Sequence, residues 1–181
     1  MYKRILIVVA AGQTSRAAIA EGVSLAKVHD AEVLFFSVLP RYVVPVVDMP
    51  MLGVPSPDAF QREAHATAER LLTAAALVAD KAGVRHRHAV GSGVDDAECI
   101  VDAARKRRCN LIVVASAGSN AVMRLLTGSV IPGLITHSPI PVLVCREVTA
   151  ATKGPRLKAA PAKVARRKPA AATRGRRRAE P

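Results

Sequence analysis

Two glycine motifs, placed after the fourth aliphatic run of the chain, could hold a phosphate chain. Gly118 follows that run closely, and Gly128-Ser129 comes after nine intervening residues. Glycine permits close approach of a ligand, and free N–H groups at the start of a helix attract anions, to which Ser129 adds a hydroxyl. The spacing indicates a phosphate-binding loop. The same residues could instead form a simple turn at Gly118 and a helix cap at Ser129.

The other reactive side chains do not form a recognisable catalytic or metal centre. His86 and His88 alternate on one aliphatic run, as two metal ligands could, but no third ligand is suggested nearby, so we interpret them as surface histidines. The three cysteines, Cys99, Cys109 and Cys145, are widely spaced and indicate neither a disulfide framework nor a zinc site. We expect them to be small buried hydrophobes, and we expect no catalytic residue and no metal.

Five aliphatic runs alternate with helical patterns and would position these residues. The predicted strands are 3–9, 31–39, 84–90, 110–116 and 141–146, and the predicted helices are 14–29, about 58–82, 95–107 and 129–137. Thr14 or Ser15 is expected to cap the first helix, and Gly83 to end the second. This alternation predicts an α/β fold, an open five-stranded parallel sheet with helices on both faces. Ligands of such sheets bind beyond the carboxyl ends of the strands.

Charge divides the chain into two parts. Residues 151–181 carry eleven Lys/Arg against Glu180, whereas residues 1–150 carry sixteen Lys/Arg against thirteen Asp/Glu, a net charge of only +3. This balance excludes a wholly basic nucleic-acid-binding fold. We predict that residues 149–181 form a disordered, Ala/Pro-rich basic tail. Residues 151–181 would then contact nucleic acid without sequence specificity, or would be a solubilising extension with no dedicated partner.

Residues 1–148 resemble the universal stress protein family. The resemblance rests on KRILIVV near the start, on SPIPVLV at 138–144, and on Ala115-x2-Gly118-x9-Gly128-Ser129, which is similar to the family motif G-x2-G-x9-G-(S/T). It implies a universal stress protein domain over 1–148, a parallel sheet of strand order 3-2-1-4-5 and a homodimer. In one subgroup it also implies binding of an adenine nucleotide, ATP or AMP.

The resemblance also implies where a nucleotide would lie. The phosphates would rest on the glycine loop, and the adenine would lie near the ends of the first and second strands. The implied binding residues are Val9, Ala10, Val38, Val114, Ala115, Ala117, Gly118, Ser119, Gly128, Ser129 and Val130.

Three alanines depart from the family pattern at this site. Ala115 replaces the first glycine of the motif, and Ala117 replaces a common basic residue. Ala10, in Val9-Ala10-Ala11-Gly12, replaces the acidic residue of the V-D-G-S pattern. Together these changes remove one polar anchor for the nucleoside and one charge for the phosphates. The sequence therefore leaves nucleotide binding open.

The segment Pro40–Pro57 is long and apolar for a connection and contains five prolines. Because connections of this length are often functional, it could cover the adenine pocket, or its Val and Met side chains could pack on a dimer partner.

The first interpretation is a cytoplasmic, non-catalytic stress-response module. It would dimerise through the fifth strand, Pro141 to Arg146, whose edge would be unpaired in the monomer. No apolar run approaches the roughly 18 residues of a membrane-spanning helix, so no membrane contact is expected. The alternatives are a nucleic-acid-associated dimer that holds polyanions through its tail and, disfavoured by the missing pocket residues, a weak ATPase.

Overall fold

The computed structural model describes residues 1–11, 15–43, 55–116 and 130–146, and within them strands and helices alternate. The strands are β1 (Arg4–Val8), β2 (Glu32–Val38), β3 (His86–Gly91), β4 (Leu111–Ser116) and β5 (Val142–Arg146). The helices are α1 (Ser15–His29), α2 (Pro57–Ala82), α3 (Asp96–Lys106) and α4 (Val130–His137). Every element lies within two residues of its predicted bounds.

The five strands form one parallel sheet in the order β3-β2-β1-β4-β5. The expected fold class and strand order are therefore confirmed. β1 is central, with Ile5 aligned to Val33 of β2 and to Leu111 of β4. Its residues Ile5, Leu6 and Ile7 are fully buried because helices cover both faces of the sheet.

Two hydrophobic cores lie on opposite faces of the sheet. The side chains of Ile7, Phe35 and Val113 pack with residues of α1 and α2 in the first core. The alternate strand positions, including Leu6 and Phe36, pack with residues of α3 and α4 in the second core. Since successive side chains of a strand point to opposite faces, the continuous aliphatic runs supply both cores at once.

Local sequence determines where the helices begin and end. The Ser56 hydroxyl accepts a hydrogen bond from Ala59 N at 3.3 Å, and Pro57 fills the first turn of α2. Gly83 ends α2 with a φ of 71°, a left-handed conformation that glycine adopts without a Cβ clash. Asp95 caps α3, because its carboxylate accepts from Ala97 N and Glu98 N at 2.7 and 3.0 Å.

The start of α1 differs from the expected cap. The Ser15 hydroxyl, predicted as a possible helix cap, instead donates to the Ala10 carbonyl and accepts from the Ala10 N–H, both at 2.9 Å. Thr14, the other candidate cap, lies outside the described residues. The predicted tail, residues 149–181, also lies outside them. None of the described helices is both long enough and apolar enough to cross a membrane.

Candidate functional site

The carboxyl ends of β1, β2 and β3 are held in register beyond the strands themselves. Val9 N donates to the Phe36 carbonyl, and Leu39 N donates to the Gly91 carbonyl, each at 2.8 Å. Parallel strands direct their carboxyl ends to one edge of the sheet, where ligands of open α/β sheets bind. The chain segments that follow β1 and β2 therefore leave the sheet side by side.

A cavity of about 340 Å³ lies between these two segments and α2, and we refer to it as the β1–β2 cavity. Its strand-side wall comes from Ala10, Ala11, Ser37, Val38 and Pro40. Its helix-side wall comes from Phe60, Glu63, Ala64, Thr67, Ala68 and Leu71. The volume is within the roughly 300–1,000 Å³ range of small-molecule sites, and the lining is mainly apolar with a few polar groups, as such sites usually are.

Three side chains give the β1–β2 cavity its polar character. Ser37 is buried, with 4% of its surface exposed, at the end of β2. Thr67 adds a second hydroxyl from α2, and Glu63 adds a carboxylate one helical turn earlier. Glu63 is the only ionisable residue of the described lining. The cavity can therefore accept hydrogen bonds from a ligand, but its lining lacks the paired acid and base that general acid–base catalysis needs.

The backbone beside the cavity is held by the Ser15–Ala10 contact. One hydroxyl satisfies both the N–H and the carbonyl of Ala10, so the turn after β1 is fixed without a polar side chain of its own. Ala10 lines the cavity. A residue at position 10 can thus change the chemistry of the cavity while the backbone contacts that hold the turn remain in place.

The two described ends of the Pro40–Pro57 segment meet beside the cavity. The Tyr42 hydroxyl donates to the Pro55 carbonyl at 2.9 Å, and the Tyr42 and Phe60 rings lie 5.3 Å apart between centroids. Residues 44–54 lie outside the described part of the chain, so the two roles expected for this segment stay predictions. The contacts of Tyr42 with Pro55 and Phe60 bring both ends of the Pro40–Pro57 segment to the helix-side wall of the cavity.

The sequence-predicted site residues fall into four groups. Ala10 and Val38 line the β1–β2 cavity. Val9 and Val114 are buried in the two cores, so only their backbone groups could meet a ligand. Ala115 is half-buried and aligned with Cys145 of β5, and Val130 is the first residue of α4. The remaining five, Ala117, Gly118, Ser119, Gly128 and Ser129, lie outside the described residues.

The helix-side wall was not predicted from the sequence. The apolar spacing of α2 includes Ala64, Ala68 and Leu71, which marks a buried helix face. The amino-terminal part of that face extends past the core and closes the β1–β2 cavity. Spacing alone could not show this, because it does not distinguish a face packed on the sheet from one that faces a cavity.

The histidines and cysteines occupy separate positions. His86 Nδ1 lies 3.7 Å from an Asp80 carboxylate oxygen, and His88 Nε2 lies 3.6 Å from one of Glu69. His88 is exposed and His86 is half-buried, each facing α2. All three cysteines are free; Cys109 and Cys145 are buried and Cys99 is half-buried. Burial raises the pKa of each thiol, that of Cys109 to about 11, so they are poor nucleophiles.

Comparison with known proteins agrees with this architecture. The universal stress protein family matches residues 1–146 of the chain. A universal stress protein of Methanocaldococcus jannaschii is 30% identical over 151 residues, which are 81% of this chain and 84% of that protein. The chain therefore belongs to the universal stress protein family, as the sequence resemblance indicated.

Solved structures from the family share the fold. A family member from Arabidopsis thaliana with AMP bound superposes with a TM-score of 0.60 at 17% identity, covering 83% of this chain and 95% of that one. A universal stress protein from Archaeoglobus fulgidus in complex with dAMP gives 0.59 at 17% identity, covering 80% and 98%. These two similarities concern the fold.

Proposed function

We propose that this chain is a non-catalytic stress-response protein that binds an adenine nucleotide, ATP or AMP, at the carboxyl edge of its sheet. The observation that carries the proposal is the β1–β2 cavity, an apolar cavity of about 340 Å³ at the ends of β1 and β2. Family resemblance implies the adenine at this position. The similar proteins from Arabidopsis thaliana and Archaeoglobus fulgidus, with AMP and dAMP respectively, support the same ligand class.

The cavity chemistry suits a flat base and its sugar. The faces of a heteroaromatic ring can pack against the apolar lining formed by Ala64, Leu71 and Phe60. Its ring nitrogens can accept hydrogen bonds from the hydroxyls of Ser37 and Thr67. Glu63 can accept hydrogen bonds from sugar hydroxyls. In this proposal the α2 carboxylate takes over the nucleoside contact that Ala10 cannot make.

The phosphates would extend from the cavity towards the segment between β4 and α4. The motif Ala115-x2-Gly118-x9-Gly128-Ser129 leads directly into α4, which begins at Val130. A helix start carries about half a positive charge, and its free N–H groups suit phosphate oxygens. Gly118, Gly128 and Ser129 are accordingly the proposed phosphate contacts. The single carboxylate of the described cavity lining supports binding without turnover.

We further propose a homodimer through β5, in the cytoplasm. β5 is an edge strand, and Leu143 and Val144 are 39% and 38% exposed. An edge strand with exposed apolar side chains favours pairing with a second copy across a two-fold axis. The three free cysteines support a reducing compartment.

Filling the β1–β2 cavity tests the proposed nucleotide site. Ala64 is half-buried and lines the cavity, so Ala64→Phe would place a ring where the base is proposed to lie. We expect the affinity for AMP and ATP, measured by titration calorimetry, to fall by at least about tenfold, because the phenylalanine ring would occupy the space in which the base makes its buried contacts.

The matched control is Ala66→Phe, an exposed position of the same helix that does not line the cavity. It should bind AMP and ATP as the parent protein does. Both variants should retain the parent melting temperature within a few degrees. AMP binding by Ala64→Phe at parent affinity would show that the nucleotide site is elsewhere or absent.

A further inference from the structure

A second cavity lies at the opposite edge of the sheet, among the amino ends of β1, β2 and β3 and the carboxyl end of α3. It encloses about 230 Å³, and we refer to it as the basic cavity. Its charged lining comes from Arg4, Glu32, Arg87, Lys106, Arg107 and Arg108. Because it lies at the amino ends of the strands, it is separate from the β1–β2 cavity.

The charge of the basic cavity is strongly positive. Five cationic residues and one acidic residue, Glu32, line it, which gives a net charge of +4. Within the described part of the chain, no other carboxylate lies within 4 Å of these cations. The end of α3 contributes only about half a negative charge. Cys109, also in the lining, remains neutral at pH 7 because burial raises its pKa to about 11.

Glu32 arranges two guanidinium groups rather than neutralising the cavity. Its Oε1 accepts from Arg87 Nε at 2.8 Å, and its Oε2 lies 3.5 Å from Arg4 Nε. Arg4 Nη1 also donates to the Arg107 carbonyl at 3.3 Å, which joins β1 to the end of α3. Two arginines on different strands are thereby held beside the same cavity, and an arranged pair of guanidinium forks matches phosphoryl oxygens better than mobile lysines do.

Arg108 lines the basic cavity from the turn that follows α3. Its φ is 55°, in the left-handed region, at the end of α3. The residues that follow α1 and α2 adopt the same conformation, but they are Asp30 and Gly83, types that favour it. The conformation closes the end of α3, where Arg108 N donates to the Arg105 carbonyl and Cys109 N donates to the Ala104 carbonyl, although the Cβ of an arginine disfavours it. The turn thereby brings Arg108 into the lining of the basic cavity.

We propose that the basic cavity binds a compact anion that carries two or more phosphoryl groups. The net charge of +4 favours a ligand with several negative charges over a single carboxylate. The volume is below the roughly 300 Å³ at which small-molecule sites usually begin, so the ligand is smaller than a nucleotide. The proposal is independent of nucleotide binding at the other edge of the sheet.

The rate at which the Lys106 amine is acetylated reports whether a ligand occupies the basic cavity, and inorganic tripolyphosphate is the ligand used as the probe. The full chain is treated with an amine-acetylating reagent with and without the probe, and modification of each lysine is followed by mass spectrometry. We expect tripolyphosphate to slow acetylation of Lys106 several-fold and to leave Lys81 unchanged, because Lys81 is exposed and outside the cavity lining. AMP should leave Lys106 reactive. Equal effects on the two lysines, no effect on Lys106, or protection by AMP would overturn the proposal.

Two variants and one control separate the cavity from general surface charge. Arg87→Ala should weaken tripolyphosphate binding about tenfold. Arg85→Ala removes the same charge two residues away, outside the cavity lining, and should change the affinity for tripolyphosphate little. Arg108→Gly should weaken binding similarly while the melting temperature is unchanged or raised, because glycine relieves the left-handed strain. Equal losses for Arg87→Ala and Arg85→Ala, or full binding by Arg108→Gly, would contradict the proposal.

Discussion

At Ala10 the backbone is held by a neighbouring residue, so the side chain at position 10 does not have to hold the turn. Its N–H and carbonyl are both hydrogen-bonded to Ser15, and Ala10 lines the β1–β2 cavity. The turn after β1 therefore does not depend on the side chain at position 10. An acidic side chain there would add a hydrogen-bond acceptor to the cavity while both backbone contacts remain.

This arrangement predicts a gain of affinity at the residue scale. The double substitution Ala10→Asp and Ala115→Gly should tighten ATP binding about tenfold, measured by titration calorimetry. The reason is that one charge-assisted hydrogen bond contributes about 1.5–3 kcal/mol, and removing a methyl lets the backbone approach the phosphates.

The matched control pairs Ala115→Gly with Ala20→Asp, an added carboxylate on the exposed side of α1. It carries the same net charge and should gain less affinity than the Ala10→Asp and Ala115→Gly variant, because it keeps only the contribution of the removed methyl. If neither double variant binds ATP more tightly than the parent, the site is not a weakened form of the nucleotide-binding subgroup's pocket.

Sequence motifs identified only part of the candidate site. Ala10 and Val38 were expected near the ligand from the family resemblance, and they line the cavity. Glu63 and Thr67 were missed, because they lie some 25 residues beyond β2 and reach the cavity only through the packing of α2 on the sheet. A site built from distant segments has no local signal, so its second wall had to come from the tertiary structure.

At the scale of elements, the side to which each backbone N–H of β5 points determines which substitution can test pairing at the edge of the sheet. Ile112 N donates to the Pro141 carbonyl, so position 141 faces β4. Backbone groups alternate sides along a strand, which turns the N–H of Val144 away from β4. A proline at 144 therefore removes an outward donor without removing a hydrogen bond of the β4–β5 pair.

Val144→Pro should consequently yield monomers in sedimentation velocity, whereas the parent chain should sediment as a dimer. Val144→Lys provides a second variant, since it retains the N–H and blocks the edge with charge. Both should keep the parent circular dichroism spectrum. A dimer that persists in both variants would place the interface on another surface.

The elements themselves were predictable because two local signals agreed. Aliphatic runs predicted the strands, and Gly83 predicted the end of α2, where the structure shows a left-handed cap. The first helix was the exception: the Ser15 hydroxyl bonds Ala10 rather than the helix start. A serine at a helix boundary has more than one acceptable partner, and only the fold selects between them.

At the scale of the whole molecule, the chain combines a nearly neutral body with a strongly basic end. Residues 151–181 carry eleven Lys/Arg and one acidic residue. Among the described residues, those of the two cores lie between Tyr2 and Cys145. The stability of the body and any contact of residues 151–181 with polyanions should therefore be separable.

Truncation after Ala150 tests this separation. The melting temperature should stay within a few degrees of the parent value, while binding to duplex DNA, measured by fluorescence anisotropy, should be lost. In the full chain, log affinity should fall linearly with log salt at about 0.9 per phosphate contact, with little dependence on DNA sequence. Duplex binding that survives truncation would locate the polyanion site on the body instead.

The central position of β1 has a consequence for how the chain folds during synthesis. β1 can pair with β2 soon after both are synthesised, but its other partner, β4, comes much later in the chain: Arg4 N and the Asn110 side chain that accepts from it are separated by 106 residues. Until then the apolar β1 presents an open edge on a half-formed sheet, a state that invites aggregation. The nascent protein is therefore most vulnerable between the synthesis of β2 and that of β4, and its folding rate is limited by closure of this long-range pair.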